Sequence, residues 1–188
     1  PNGREFLALV LGVLVVGGAV VAQGEKFPAI GPLPPVPVPA DNPMSKEKVA
    51  LGKLLFFDPR LSGDASTSCA SCHSPKAGWG DGGDISRGYP GTQHWRNSQT
   101  ILNSAYYKKL FWAGESTSLE AQAKSAAAGN TAGNGDTMMM EERLRQIPEY
   151  VKRFKKVFGV DWPTIGDAWR AISAFERTLV SKAKNVPF

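Results

Sequence analysis

Residues 69–73 read Cys-Ala-Ser-Cys-His, and this spacing has a specific chemical use. Two thiols separated by two residues sit on one turn and face one way, so both can add across the vinyl groups of a single porphyrin edge. The adjacent His73 is then placed to offer a ring nitrogen to the iron as proximal ligand. Cys69, Cys72 and His73 are therefore read as the attachment site of one covalent haem c. A redox dithiol would need a thioredoxin-like βαβ pattern around Cys-x-x-Cys, which is not visible. A zinc site would usually place its histidines a few residues apart, whereas His73 and His94 are distant. The chain has only 2 Cys, so the motif exhausts them and leaves none for a second haem of this kind.

Several residues compete for the other side of the iron. His94 is the only other histidine and is the candidate distal iron ligand. Met138, Met139 and Met140 follow a Gly-rich loop, and a thioether ligand from them would raise the potential. Tyr89 ligation and a vacant position complete the alternatives.

These residues need a scaffold. Ser45 caps a predicted helix from Lys46 to about Phe56, stopped by Asp58-Pro59. A short helix carries the Cys-x-x-Cys-His run and ends at Pro75. Residues 81–99 read as a loop, 116–128 as an Ala-rich helix, and 129–135 as a Gly/Asn loop. A helix begins at Glu141, and another runs from Pro148 to Gly159. Thr164 and Asp167 open the last helix, whose apolar stripe is Ile165, Trp169, Ile172, Phe175 and Leu179. No strand pattern is convincing. The fold class is all-α: a cytochrome c-like haem domain with long loops over residues 45–188.

Two segments precede that domain. Phe6–Ala22 is an unbroken apolar run of roughly 26 Å as a helix, marginal for a bilayer core. Residues 1–23 are read as a retained signal-anchor, a transmembrane helix, rather than a cleaved export signal. Residues 24–44 are Pro-rich, which excludes helix and central strand and predicts an extended linker or strap. The net charge of +5 suits an acidic redox partner or anionic lipid. It does not suggest nucleic acid, since Lys152, Arg153, Lys155 and Lys156 read as the solvated face of a helix.

The blocks LGKLLFFDPRLSGDASTSCASCH (51–73), RNSQTILNSAYY (96–107), FWAGESTSLEAQA (111–123), RLRQIPEYVKRFKKVFG (143–159) and AISAFERTLVS (171–181) together resemble the N-terminal haem domain of bacterial di-haem cytochrome c peroxidases. The related methylamine dehydrogenase maturation enzymes share them. The resemblance implies a haem at which hydrogen peroxide binds, with a second haem domain following the FERTLVS block. It also implies that Trp112 corresponds to a tryptophan relaying electrons between haems, Gln122 to a distal-pocket glutamine, and Asn97 to an interdomain calcium ligand. The other calcium ligands would lie outside this chain, so calcium is not expected, and Asn97 is read as a turn residue.

Departures from the family pattern shape the functional expectation. The loop from Lys124 to Met140 holds no glutamate where relatives carry their acid/base. A gapless match puts Ala132 there, and Asp136 is the loop's only acid. Tyr89 stands where many relatives have a histidine. These departures favour a membrane-anchored mono-haem cytochrome. It would act as an electron-transfer subunit of a respiratory or photosynthetic complex in the bacterial cytoplasmic membrane, with redox protein partners and its haem domain on the periplasmic face. The alternative is a cytochrome c peroxidase whose second haem domain lies beyond Phe188.

Overall fold

The computed structural model describes residues 31–182, so the apolar Phe6–Ala22 run lies outside the described residues. Among those described, no helix is long and apolar enough to cross a membrane.

Among the described residues six α-helices form: α1 (Lys46–Phe57), α2 (Cys69–Cys72), α3 (Leu119–Ala128), α4 (Thr137–Arg145), α5 (Pro148–Phe158) and α6 (Ile165–Glu176). Short 3-10 turns and loops join them, and extended pairing among the described residues is confined to isolated bridges. Most helix starts follow from capping chemistry. Ser45 accepts from the Lys48 amide, Ser118 from Ala121, Asp136 from Met139 and Thr164 from Asp167, each satisfying an amide with no intrahelical partner. Pro148 opens α5, and Gly159, at φ 73°, closes it in the left-handed region.

Several boundaries depart from expectation: α3 starts at Leu119 rather than at 116, and α6 ends at Glu176, before Leu179. Asp136 starts α4 at Thr137, so Met138–Met140 lie inside a helix rather than before one. The motif helix α2 stops at Cys72 with His73 as its cap, and Pro75 opens a separate 3-10 turn.

The α1–α6 pair is the main axis of the fold. Leu51, Leu55 and Phe56 of α1 and Ala168, Ala171 and Ile172 of α6 are fully buried. The helices cross at Gly52, where a Cβ would lie 1.8 Å from the Ala171 carbonyl oxygen. Only glycine permits that approach. Phe154 of α5, Met140 and Leu144 of α4, and Ala123 and Ala127 of α3 complete the core.

The described end of the Pro-rich segment lies against the domain as a strap. The Tyr106 hydroxyl donates to the Pro34 carbonyl at 2.8 Å, and Pro37–Pro39 line a groove with Ser104, Tyr107 and Leu110. Asn42, 1 % exposed, anchors the strap's end. Its amide donates to Glu120 at 2.7 Å and to the Arg170 carbonyl at 3.0 Å, and its oxygen accepts from the Lys48 ammonium at 2.8 Å. Arg177 closes this network with two bonds to Glu120, at 2.7 and 3.1 Å. Lys152, Lys155 and Lys156 are exposed, and Lys155 and Lys156 pair with Asp161 and Glu47.

Candidate functional site

A cleft gathers residues from α2, α3, α6 and the long loops. Its walls include Cys69, Cys72, His73, His94, Trp112, Gln122, Ala132 and Glu176.

The turn carrying Cys69 and Cys72 is fixed locally. The Ser71 hydroxyl accepts from the Ser68 amide at 3.0 Å, and the His73 amide donates to the Cys69 carbonyl at 3.0 Å. Both cysteines are free thiols. Burial pushes the Cys69 thiol up to about 12, with the nearby Glu176 adding to the rise. Burial also raises Cys72 and lowers His73. These shifts disfavour the charged forms of all three side chains, and a neutral imidazole is the form that ligates a metal. No three of Cys69, Cys72, His73 and His94 converge as a metal-holding cluster among the described residues.

His73 is oriented from behind. Its Nδ1 lies 3.2 Å from the Trp79 carbonyl oxygen, so Nδ1 carries the proton and Nε2 keeps its lone pair. That carbonyl also accepts from the Ile101 amide at 3.1 Å. Gly78 and Trp79, at φ 65° and 63°, turn the chain back on itself, and the Trp79 amide donates to the Ser74 carbonyl at 2.8 Å. The Trp79 ring packs edge-on against Phe56, Phe57 and Phe175, at 6.0, 6.5 and 5.8 Å. The α1–α6 pair therefore sets the position of the imidazole through Trp79.

His94 has the opposite arrangement. Its backbone amide donates to the Ser86 carbonyl at 2.8 Å, and its Nδ1 accepts from the Arg96 amide at 3.3 Å. A neutral His94 held this way carries its proton on Nε2. Nε2 is then available as a hydrogen-bond donor.

The other expected residues divide. Gln122 lines the cleft from α3. Trp112 also lines it but is 58 % exposed, with its Nε1 donating to the Asn97 carbonyl at 2.9 Å. It stands at the rim. The Asn97 side chain donates to the Gly83 carbonyl, consistent with a turn residue. The methionine ligand candidates fail. Met138 is 75 % exposed, the Met139 sulfur accepts from Arg143, and Met140 is fully buried in the core. Tyr89 also fails: its ring packs beside Gly63, outside the cleft lining. Asp136 caps α4 and is exposed. Ala132 does line the cleft, so the expected glutamate position carries a methyl group there.

Two residues were missed from sequence. The positioning carbonyl of Trp79 left no signal, since any residue supplies a carbonyl. Glu176 could have been found, because it stands four residues after Ile172 on the buried face of α6 and is 4 % exposed.

The lining suits a porphyrin. Leu61, Ala123, Ala126, Ala127 and Ile172 give it apolar walls, and the two thiols and His73 share the same cleft.

Comparison with known proteins agrees with this chemistry. Residues 46–186 match the family described as di-haem cytochrome c peroxidase. The chain is 66 % identical, over 182 residues, to "Cytochrome-c peroxidase IdrP1" of Denitromonas iodatirespirans, covering 97 % of this chain and 48 % of that protein. It is 43 % identical, over 148 residues, to "Methylamine utilization protein MauG" of Methylorubrum extorquens, covering 78 % of this chain and 42 % of that protein. Among solved structures, a MauG-like protein associated with microbial copper homeostasis superposes with a TM-score of 0.73. That match has 33 % identity and covers 85 % of this chain and 47 % of that one. The chain thus spans about half the length of the curated relatives it matches. These relatives overturn the expectation of a membrane electron-transfer subunit. Proteins 66 % and 63 % identical to this chain are named as peroxidases. The missing loop glutamate and Tyr89 at the histidine position do not outweigh relatives of this identity.

Proposed function

Since the chain belongs to the di-haem cytochrome c peroxidase family, we propose that it forms the peroxide-reducing, haem-bearing half of such an enzyme. The overall reaction takes hydrogen peroxide, two electrons and two protons to two waters. A haem c held here supplies the iron at which peroxide binds and the redox chemistry that divides the O–O bond. In this reading Cys69 and Cys72 hold the porphyrin covalently, and His73 binds iron through Nε2. One haem is assigned to this chain. The family's second haem would lie in a separate domain.

The observation that carries the reading is the pair of oppositely arranged histidines in one cleft. His73 has Nδ1 committed to the Trp79 carbonyl, while His94 has Nδ1 accepting from the Arg96 amide. The first is prepared as a ligand and the second as a donor. His94 Nε2–H can hydrogen-bond to a peroxide oxygen and assist proton movement without occupying the iron. Gln122 adds an amide on the α3 wall. Trp112 would pass electrons in from a neighbouring haem domain, a role its exposure at the rim supports. Electrons come from a redox protein, and the location is the outer side of the cytoplasmic membrane.

The test is steady-state oxidation of a reduced cytochrome by peroxide, catalysed by the full-length haem-loaded protein. Turnover that falls at least a hundredfold in His73→Ala, with haem still attached, supports the reading. Wild-type protein that carries haem but does not consume peroxide refutes it.

A further inference from the structure

Glu176 ends α6 with its carboxyl group buried in the cleft wall. The residue is 4 % exposed, and Oε2 has no hydrogen-bond partner. It is the only carboxylate among the described residues lining the cleft. A buried carboxylate without a partner is costly, so such a group takes up a proton or faces a ligand that satisfies it.

The surrounding charges leave it unneutralised. Arg177, the nearest cation in sequence, is committed to Glu120 through two hydrogen bonds. Glu120, on α3, adds a like charge. From α2 the facing titratable group is the Cys69 thiol, which becomes a neutral thioether once haem is attached. From α1 the buried cation is Lys48, bound to Asn42 and the Pro43 carbonyl. From α4 the buried side chains are the apolar Met140 and Leu144, while Glu141 binds Arg145 and the Ile165 amide at the far end of α6. Burial, with Glu120 behind it and Arg177 opposing it, pushes the Glu176 carboxyl up to about 8.

We propose that Glu176 is the proton-coupled residue of this cleft: it binds a proton when the haem held by Cys69 and Cys72 gains an electron, and releases it on reoxidation. The inference rests on the haem reading above. Its balance is simple. An external reductant delivers one electron to the iron, and the Glu176 carboxylate takes one proton from solvent to become a carboxylic acid. Reoxidation returns both. The coupling is electrostatic, because an added electron removes one unit of positive charge beside a buried group and so favours the neutral carboxyl. A proton stored in this way lies in the same cleft as the peroxide chemistry, which consumes protons.

The experiment is a mediated potentiometric titration of the full-length haem-loaded protein from pH 6 to 10, with haem per chain counted on the same sample. The potential of the haem on Cys69 and Cys72 should fall as pH rises, with a slope approaching about 59 mV per tenfold change in proton activity for one electron. Glu176→Gln should flatten that slope. The reduced-minus-oxidised infrared spectrum of the wild type should show the carbonyl stretch of a newly protonated carboxylic acid, absent in Glu176→Gln. If the variant fails to attach haem, the wild-type slope and infrared band decide. A pH-independent potential without a carboxyl band, or a slope that survives in Glu176→Gln, overturns the assignment while leaving the haem reading intact. A protein that carries no haem overturns both.

Discussion

Gly52→Ala tests whether the α1–α6 crossing sets the geometry of the site. The added Cβ would lie 1.8 Å from the Ala171 carbonyl oxygen and 2.4 Å from its carbonyl carbon, where ordinary contact begins near 3.4 Å. The helices must therefore part by about 1.6 Å. The obstacle is backbone, which has no rotamer to escape into, so the cost falls at the upper end for overpacking, about 3 kcal/mol. Alanine recovers about 1 kcal/mol of helix propensity. The net loss of about 2 kcal/mol corresponds to a fall in Tm of about 4–8 °C for a chain of this size. Thermal unfolding of the haem-loaded protein, followed by far-ultraviolet circular dichroism, measures it. Because Phe56 and Phe175 carry Trp79, and Trp79 orients His73, the haem absorption bands should shift as well. A Tm within about 1 °C of wild type with unchanged bands would refute this account of the crossing. Gly166, with nothing within 4 Å of its would-be Cβ, is the control: Gly166→Ala should stabilise by about 0.4–1 kcal/mol.

Other outcomes are expected from the same structure. Glu120→Gln weakens the bidentate pair with Arg177 and should cost about 1.5–3 kcal/mol at pH 7, read by denaturant unfolding. Burial alone would raise the Glu120 carboxyl, but hydrogen bonds from Arg177 and Asn42 outweigh it and hold it below its usual range. Its contribution is thus present above the unfolded carboxylate pKa of about 4.3 and is lost as pH falls through the lower folded value, so Glu120→Gln should also blunt acid unfolding. Glu176 has the opposite sign. Raised by burial to about 8 in the folded state, it lets the unfolded chain ionise first, so stability before haem attachment should fall between about pH 4.3 and 8. Glu176→Gln should flatten that fall in unfolding curves taken across this range. Trp112→Phe removes the bond to the Asn97 carbonyl and should slow peroxide turnover with little change in haem absorption, since the indole sits at the rim.

The helices were largely legible because their ends are written in local chemistry. Ser45, Thr164, Pro148 and Gly159 act within one turn of themselves. The starts of α3 and α4 were less legible, since Ser118 competes with Ser116 as a cap and Asp136 is as readily an acid as a cap. The attachment motif was equally legible, since two thiols and an imidazole at fixed spacing have few other uses. The cleft's remaining chemistry was not. Which of the two histidines keeps a free Nε2 depends on the Trp79 carbonyl and the Arg96 amide, and backbone groups have no letter in the sequence. The role of Glu176 depends on Arg177 turning toward Glu120 across the fold. The functional expectation erred for a related reason: the methyl group at Ala132 and Tyr89 at the histidine position were read together as an absent proton source, although His94 and Glu176 also line the cleft.

The central claim is that a haem anchored at Cys69 and Cys72, with iron on His73, reduces peroxide. Stopped-flow mixing of the fully reduced, full-length haem-loaded protein with a single equivalent of hydrogen peroxide tests it most directly. The account predicts rapid reoxidation that withdraws two electrons per peroxide and is abolished in His73→Ala. Reduced absorption bands that persist unchanged after mixing would contradict it.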